Sequence, residues 1–317
     1  MLLFYCSIFL SVLSIGDLSM KRWYVALGAF ALLLLVVIGM LVWPRHEHVP
    51  PVATRPAQSQ ATPECPYTFV SWNIANLGKH NTPEQLAHMA KILAHADIVS
   101  VQEVTARKGF GAKAVARLAD ELSRTGAAWD YIVSDATEPA SSGVERYALL
   151  WKSHVATINR DEAHLVGALR DPIDREPFTS LFQIKGGKPV RVFTIHTVPT
   201  AKLPIREVEA LGASDEVRSA PRAFIAGDFN LGRDATDVPL VDAGYAGHIR
   251  ALTSLKKKLD GGRYVGVQYD NIYTKGVHVC TAGVIDFVER DFAPITDESL
   301  ARARELSDHL PVFATFK

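Results

Sequence analysis

The chain is poor in cysteine and has no excess of charge of either sign. Its three cysteines, Cys6, Cys65 and Cys280, are too few for a framework of several disulfides. Cys65 and Cys280 could pair in an oxidising compartment, but we expect two separate, half-buried thiols. The 34 basic and 34 acidic residues cancel, which excludes the strongly basic profile of a protein that binds nucleic acid tightly and without specificity.

A long run without charge lies near the amino terminus. Residues 23–43 contain no Asp, Glu, Lys or Arg, and about 20 such residues match the hydrocarbon core of a bilayer. Lys21 and Arg22 precede the run, so the positive-inside rule places the amino terminus in the cytoplasm. We therefore predict a cytoplasmic leader over residues 1–22 and a single-pass cell-membrane anchor over residues 23–43, with the rest of the chain outside. A cleaved signal peptide is the alternative, although its apolar core would span only about 7–15 residues.

Two further features flank the predicted anchor. Met20 directly precedes the basic pair, which is typical of a signal-anchor start, so we predict that translation begins there. Residues 44–64 contain five prolines among small and polar residues. Such a composition cannot bury a core and predicts a stalk, which leaves residues 65–317 as the folded domain.

Short apolar runs alternate with helical patterns throughout the folded domain. Residues 69–74, 97–104 and 284–288 are among the predicted strands. Met89 and Leu93 belong to an apolar set with helical spacing that follows Thr82, a predicted N-cap. Mixed strands and helices over about 250 residues, with no internal linker, predict one α/β domain with packed sheets.

Acidic and amide side chains follow several predicted strands. Glu103 comes after the apolar run 98–101, where a carboxylate either binds a hard cation or is simply solvated. Asp228 and Asn230 follow the run 223–226 and point to one side of an extended chain. They are candidates to hold a metal ion or a phosphate oxygen, with an Asx turn as the structural alternative.

Two histidines lie at the ends of similar runs. His309 precedes the last predicted strand, and His196 follows the run 190–195. A histidine can deprotonate water when a carboxylate orients its other ring nitrogen. Asp270 could serve His309 in this way and Glu145 could serve His196, which would give a general base and a general acid on opposite sides of a phosphate. Packing is the commoner role of a single histidine, and the chain holds 11.

Basic side chains offer further candidate contacts. Arg146 and Arg175 could bind phosphate oxygens, because a guanidinium group matches them bidentately, or could form surface ion pairs. The run of lysines at 256–258, near Arg263, is more often a solvated loop than a nucleic-acid patch.

Taken in order, these fragments resemble the endonuclease/exonuclease/phosphatase superfamily, and within it the deoxyribonuclease I branch. The resemblance extends over residues 67–317. It rests on Val101-Gln102-Glu103-Val104, Glu145-Arg146-Tyr147, Arg175-Glu176-Pro177, His196 with Pro199, Gly227-Asp228-Phe229-Asn230, Tyr269-Asp270 and Ser307-Asp308-His309-Leu310-Pro311-Val312.

The resemblance implies a four-layer α/β/β/α sandwich with the site at the crest between two sheets. It implies that Asn73, Glu103 and Asp308 surround a divalent cation, Mg²⁺ in the first place, with Ca²⁺ or Mn²⁺ as alternatives. Asn73 is also a candidate phosphate contact. The other implied roles are phosphate contacts by Asp228, Asn230 and Arg175, and acid–base pairs of His196 with Glu145 and of His309 with Asp270.

Some expected nuclease features are missing from the sequence. Ala75 stands where the resemblance calls for a DNA-contacting arginine, and residues 138–143 lack the expected minor-groove tyrosine. The family's cysteine pairs are absent as well. These departures remove contacts to double-stranded DNA but none of the reactive groups.

The sequence therefore predicts a membrane-anchored, metal-dependent phosphodiesterase, with residues 65–317 as its catalytic domain. An endonuclease acting on DNA outside the cytoplasmic membrane is the favoured activity, and no protein partner is inferred. A phosphatase or phospholipase acting on inositol phosphates or sphingomyelin is the alternative enzyme. A binding module without catalysis is the alternative outside that class.

Overall fold

The computed structural model of the protein describes residues 62, 64–139 and 143–317. The predicted leader (1–22) and anchor (23–43), and all of the predicted stalk except residues 62 and 64, lie outside the described residues. Within the described part of the chain, no helix is long and apolar enough to cross a bilayer.

Strands and helices alternate along the described residues. The strands are β1 (Tyr67–Leu77), β2 (Ile98–Thr105), β3 (Trp129–Val133), β4 (Glu145–Lys152), β5 (Ala156–Ile158), β6 (His164–Leu165), β7 (Phe178–Ile184), β8 (Val190–His196), β9 (Ala223–Asp228), β10 (Ala246–Gly247), β11 (Leu255–Asp260), β12 (Arg263–Val265), β13 (Asp270–Lys275), β14 (Val279–Val284) and β15 (Val312–Phe316). The helices are α1 (Pro83–Leu93), α2 (Phe110–Ser123), α3 (Ile205–Ala213), α4 (Asp215–Ser219), α5 (Arg233–Asp242), α6 (Phe287–Phe292) and α7 (Asp297–Arg304).

The strands form two large sheets and one separate hairpin. The strand order of the first sheet is β14-β15-β1-β2-β4-β3, and that of the second is β10-β13-β9-β8-β7-β5, with β6 also paired to β7. The hairpin consists of β11 and β12. The parallel pairs, β1 with β2 and β8 with β9, lie inside their sheets, and their carboxyl ends bring together side chains that are far apart in sequence.

Three hydrophobic clusters separate four layers. The cluster between the sheets joins Phe69 of β1 and Leu149 of β4 to Val192 of β8 and Phe224 of β9. A second cluster lies between the first sheet and helices α1, α2, α6 and α7. A third lies between the second sheet and helices α3, α4 and α5. This packing is the α/β/β/α sandwich that the resemblance implied.

Helix α1 begins directly after Thr82, the N-cap that the sequence predicted. The Thr82 hydroxyl accepts a hydrogen bond from the Gln85 amide at 3.2 Å, and the Gln85 side chain accepts one from the Thr82 amide at 3.0 Å. This capping box satisfies two backbone donors at the start of the helix. The apolar stripe that includes Met89 and Leu93 is buried, so the prediction of this helix is confirmed.

Two predicted segments differ from the observed structure, and one helix was not predicted. The segment 284–288, predicted as a strand, instead turns into α6, because the Asp286 side chain caps the helix by accepting from the Glu289 amide at 3.0 Å. The lysine run at 256–258, predicted as a solvated loop, lies in β11. Helix α5 was not predicted, since its stripe is weakly apolar and it contains Pro239.

The cysteine prediction is also wrong, because Cys65 and Cys280 form a disulfide with their Cα atoms 6.2 Å apart. The pairing follows from sheet register. Tyr67 of β1 and Val279 of β14 both lie opposite Phe316 of β15, on either side of it. The two cysteines next to these positions are 215 residues apart in sequence, so the chain itself gives no local signal of their contact.

We predict that the double variant Cys65→Ser/Cys280→Ser loses about 2–4 kcal/mol of unfolding free energy, because it removes a cross-link over a long loop. The measurement is the midpoint of urea unfolding, with and without a reducing agent. Reduced wild type should unfold at the midpoint of the double variant. Equal midpoints of oxidised wild type and variant would contradict the prediction.

Candidate active site

The site lies where the carboxyl ends of the parallel strands of both sheets meet. Asn73 of β1 belongs to the first sheet, while His196 ends β8 and Asp228 ends β9 in the second, directly opposite each other in register. The side-chain Nδ2 of Asn73 donates to Asp228 Oδ2 at 3.1 Å. This hydrogen bond connects the two sheets at the crest of the sandwich.

Gly227 allows β9 to come this close to β8. Its φ is +151°, and an added Cβ would lie 1.8 Å from the carbonyl oxygen of Ile195. A larger residue would therefore push the strands apart directly beside Asp228.

The carboxylate of Asp228 lies between two imidazole rings. Its Oδ2 is 3.5 Å from His196 Nε2 and 3.6 Å from His309 Nε2. Its Oδ1 accepts from the Asn230 amide at 2.8 Å. Burial opposes the charged form, but the fields of the two histidines, with the hydrogen bonds from Asn230 and Asn73, lower the pKa of Asp228. The group is therefore an anion held between two potential cations.

His309 is oriented by a buried carboxylate. Its Nδ1 lies 2.7 Å from Asp270 Oδ2, which leaves Nε2 directed at Asp228. The Thr253 hydroxyl accepts from the amides of Tyr269 and Asp270, both at 3.0 Å, and so fixes the backbone that carries the carboxylate. Burial alone would lower the pKa of His309, but the charges of Asp270 and Asp228 raise it to about 10.

His196 is held in a matching arrangement. Its Nδ1 lies 2.9 Å from Glu145 Oε2, and its Nε2 also faces Asp228. The Tyr147 hydroxyl accepts from the His196 amide at 3.1 Å and fixes the end of the strand. Burial opposes the charged ring, but the hydrogen bond and the charge of Glu145 raise the pKa of His196. Both histidines therefore present Nε2 to one point and bind a carboxylate through Nδ1.

Arg175 was expected to contact the phosphate, but in the structure it donates a hydrogen bond to Glu145. It is only 4% exposed. Its Nε donates to the His196 carbonyl at 3.0 Å, Nη1 donates to Glu145 Oε1 at 2.7 Å, and Nη2 donates to the Thr197 carbonyl. Because each nitrogen already has a protein acceptor, the guanidinium group positions the Glu145–His196 pair in this structure.

Arg146 also departs from its predicted position. Along β4, Tyr147 packs between the sheets, whereas Ala148 packs on the helices of the outer layer. Since side chains alternate along a strand, Glu145 faces the site and Arg146 faces away from it. Arg146 donates to the Ser134 carbonyl at 2.5 Å, and its candidate role as a phosphate contact does not fit this position.

Asn73 and Glu103 fit a cation site. The side-chain Nδ2 of Asn73 donates to Glu103 Oε1 at 3.0 Å, and the backbone N–H of Asn76 donates to Glu103 Oε2 at 3.1 Å. Asn73 Oδ1 is buried and, among the described residues, has no hydrogen-bond donor. An amide oxygen without a donor next to a carboxylate is the oxygen set that Mg²⁺ or Ca²⁺ binds. Glu103 has a φ of +59°, a strained conformation of the kind found at functional sites.

The third predicted ligand, Asp308, is turned toward solvent. Its side chain is 41% exposed and lies 3.3 Å from Arg304 Nη2. Ligand atoms of Asp228, Asp270 and His309 also lie within 4.8 Å of one another and form a second candidate set. We favour the Asn73–Glu103 side, because Asn73 Oδ1 has no hydrogen-bond donor among the described residues, whereas both Asp228 oxygens and Asp270 Oδ2 already form hydrogen bonds.

Thr253 and Ser307 support the site through their hydroxyls, and neither was a predicted site residue, although Ser307 lies in the motif at 307–312. The Ser307 hydroxyl donates to the Asn73 carbonyl at 2.6 Å and accepts from the His309 amide at 2.9 Å. It therefore connects two candidate site residues that are 236 positions apart (309 − 73). A hydroxyl residue of this kind acquires its role only through the tertiary fold.

We predict that Arg175→Met destabilises the protein by about 3–5 kcal/mol, because it leaves the Glu145 carboxylate and two buried carbonyls without their donor. Arg175→Lys keeps the charge and should lose less. Chemical denaturation measures both variants. A loss below about 1 kcal/mol in the methionine variant would show that this network is not structural.

Comparison with known proteins gives the family. The sequence model of the Endonuclease/Exonuclease/phosphatase family matches residues 70–309. A solved structure of an endonuclease/exonuclease/phosphatase family protein from Leptotrichia buccalis is similar, with a TM-score of 0.55 and 14% identity over 79% of this chain and 99% of that chain. A humanized D. rerio TDP2 has a TM-score of 0.55 and 18% identity over 79% of this chain and 98% of that one.

A mannosyl-6-phosphatase from Bacteroides thetaiotaomicron has a TM-score of 0.51 and 16% identity over 79% of this chain and 99% of its own. At these identities the three structures show the fold alone. No curated protein sequence matches the chain. The family model nevertheless covers most of the folded domain, and the chain belongs to the endonuclease/exonuclease/phosphatase family of hydrolytic phosphoesterases.

Proposed function

We propose that the chain is a divalent-metal-dependent phosphodiesterase that hydrolyses DNA as an endonuclease. One observation carries the proposal. The Nε2 atoms of His196 and His309 converge on Asp228 Oδ2 at 3.5 and 3.6 Å, and each ring is bound to a carboxylate on its far side. Two oriented imidazoles that face one point can serve the attacking and leaving oxygens of one phosphate.

The two pairs have different tasks in this mechanism. His309, oriented by Asp270, accepts the proton of the attacking water, and His196, oriented by Glu145, gives a proton to the leaving oxygen. Each such transfer typically contributes about 10²–10⁴-fold to the rate. In this mechanism Asp228 and Asn230 would contact the phosphate.

Positive charge is needed for this chemistry. A divalent cation held by Asn73 and Glu103, with Asp308 nearby, would supply it to the phosphoryl oxygens. His309 accepts a proton only in its neutral form, whereas the surrounding carboxylates raise its pKa to about 10. Bound positive charge offsets those carboxylates and favours the neutral ring, so we expect activity to require the ion.

Support for DNA as substrate comes from a protein of similar fold. D. rerio TDP2, whose structure with a single-strand DNA product has a TM-score of 0.54 and 17% identity to this chain, binds DNA on this architecture. The similarity to the mannosyl-6-phosphatase supports a second candidate function, that of a phosphatase acting on a small phosphate ester. The two candidates share the reaction centre and differ in what surrounds the phosphate.

The test is incubation of the full-length chain in detergent with supercoiled plasmid, sphingomyelin, inositol phosphates and mannose 6-phosphate. We expect Mg²⁺-dependent plasmid nicking that EDTA abolishes. His309→Ala should lower it by about 10²–10⁴-fold. His88→Ala is the matched control, because His88 also binds an aspartate, Asp291 at 2.7 Å, but on the outer helices. Intact plasmid together with cleavage of a lipid or monoester would refute the nuclease assignment.

We also propose that residues 23–43 anchor the enzyme with its catalytic domain outside the cytoplasmic membrane. The uncharged run supports the anchor. The Cys65–Cys280 disulfide supports the location, since disulfides persist in oxidising compartments.

The anchor predicts that full-length protein stays in the membrane pellet after alkaline carbonate extraction. Deletion of residues 1–43 should move it to the supernatant. Recovery of the full-length protein in the supernatant would disprove the anchor.

A further inference from the structure

A hairpin of β11 and β12 begins and ends next to the His309–Asp270 pair. Ser254, just before β11, forms a β-bridge with His309. The amide of Leu255 donates to the carbonyl of Asp308 at 2.7 Å. After β12, the chain returns within five residues to Asp270. The catalytic histidine and its carboxylate are therefore fixed to the two legs of the hairpin.

The hairpin is basic. Residues 255–265 contain four basic side chains and one acidic, Asp260, for a net charge of +3 (4 − 1). Lys256 and Arg263 lie 3.1 and 3.4 Å from Asp260. Lys257 and Lys258 are exposed, and neither forms an ion pair with any of the described residues. Two ammonium groups are thus available to an external anion.

The hairpin is held against helix α7 rather than free in solution. The Leu259 amide donates to Asp297 Oδ1 at 2.7 Å, and Arg304 Nη1 donates to the Leu255 carbonyl. Leu255 and Leu259 pack into the outer hydrophobic cluster. Helix α7 has two acidic and two basic residues. Tyr264 of β12 donates to Asp286 and Glu289, but among the described residues neither carboxylate forms an ion pair with Lys257 or Lys258. A fixed strand presents its lysines at low entropic cost.

The spacing of the lysines suits more than one phosphate. At about 3.3 Å per residue, Lys257 and Lys258 lie at most roughly 10–13 Å along the chain from Ser254, which adjoins His309, because the pairing of β11 is irregular between Leu255 and Asp260. One strand of B-form DNA presents a phosphate about every 3.4 Å of helix axis. The lysines therefore suit phosphates on either side of the reacting one, where a substrate with a single phosphate has no anion.

We propose that the β11–β12 hairpin binds the phosphates that flank the scissile one, through Lys257 and Lys258, and so selects nucleic acid strands over small phosphate esters. This inference rests on the proposed nuclease function and names the surface that chooses its substrate. It compensates for Ala75, which replaces an expected DNA-contacting arginine, and for Arg146 and Arg175, which contact protein carbonyls or carboxylates instead.

The test compares Lys257→Ala/Lys258→Ala with a matched control, Lys91→Ala/Lys188→Ala. Both control lysines are exposed. One lies in the last turn of α1 and the other just before β8, at the end of the sandwich opposite the site. All proteins are full length in detergent, with Mg²⁺. The substrates are a fluorescent DNA oligonucleotide and bis(p-nitrophenyl) phosphate, a small diester.

We expect the hairpin variant to lose about 10-fold in kcat/KM on DNA at low salt and to keep wild-type kcat/KM on the small diester. The slope of log kcat/KM against log salt should become shallower by about 2, since each phosphate contact contributes about 0.9. The control should match wild type in both. Unchanged DNA kinetics and slope, or an equal loss on both substrates, would overturn the proposal.

Binding separates this proposal from the catalytic one. Fluorescence anisotropy of DNA bound by His309→Ala protein, with and without the hairpin substitutions, does not require turnover. Weaker binding in the hairpin variant supports the surface even if no substrate is cleaved, in which case the proposed activity alone fails. If the substitutions instead reduce only co-sedimentation with anionic phosphatidylglycerol vesicles, the hairpin faces a membrane and the proposal is wrong.

Discussion

The buried carboxylate of Asp228 is the group on which the arrangement of the site depends. An isolated anion at this depth would be very unfavourable, so it requires nearby cations and donors. His196 and His309 supply potential positive charge from two sides, and Asn73 donates a hydrogen bond from the other sheet. The same contacts that stabilise the anion hold both Nε2 atoms toward a single point.

Both acid–base pairs of the site also join the two sheets. Glu145 begins β4 of the first sheet and binds His196 at the end of β8 in the second. Asp270 begins β13 of the second sheet and binds His309, which lies just before β15 of the first. The geometry of the reaction centre is therefore set by how the sheets pack on Phe69, Leu149 and their partners. A change in that core would alter both acid–base pairs at once.

The sequence predicted the sandwich and the partners of both histidines because short motifs carry them in a fixed order. It did not predict the direction of the arginines. Arg146 faces away from the site because side chains alternate along β4 and Glu145 faces it. Arg175 is buried because acceptors from separate segments of the chain surround it. The Cys65–Cys280 disulfide and the support from Thr253 depend on long-range register in the same way. Such contacts leave no local pattern in the chain.

The inward direction of the arginines has an electrostatic consequence for substrate binding. Glu103, Asp228, Asp270 and Glu145 bring four carboxylates to the candidate site, and Arg175 forms an ion pair with only one of them, Glu145. A phosphate would be repelled from this crest without added positive charge. A cation beside Asn73 would act at the reacting phosphate alone. For the proposed substrate, attraction of the flanking phosphates would come from the surrounding surface, and the basic hairpin is joined to His309 through Ser254.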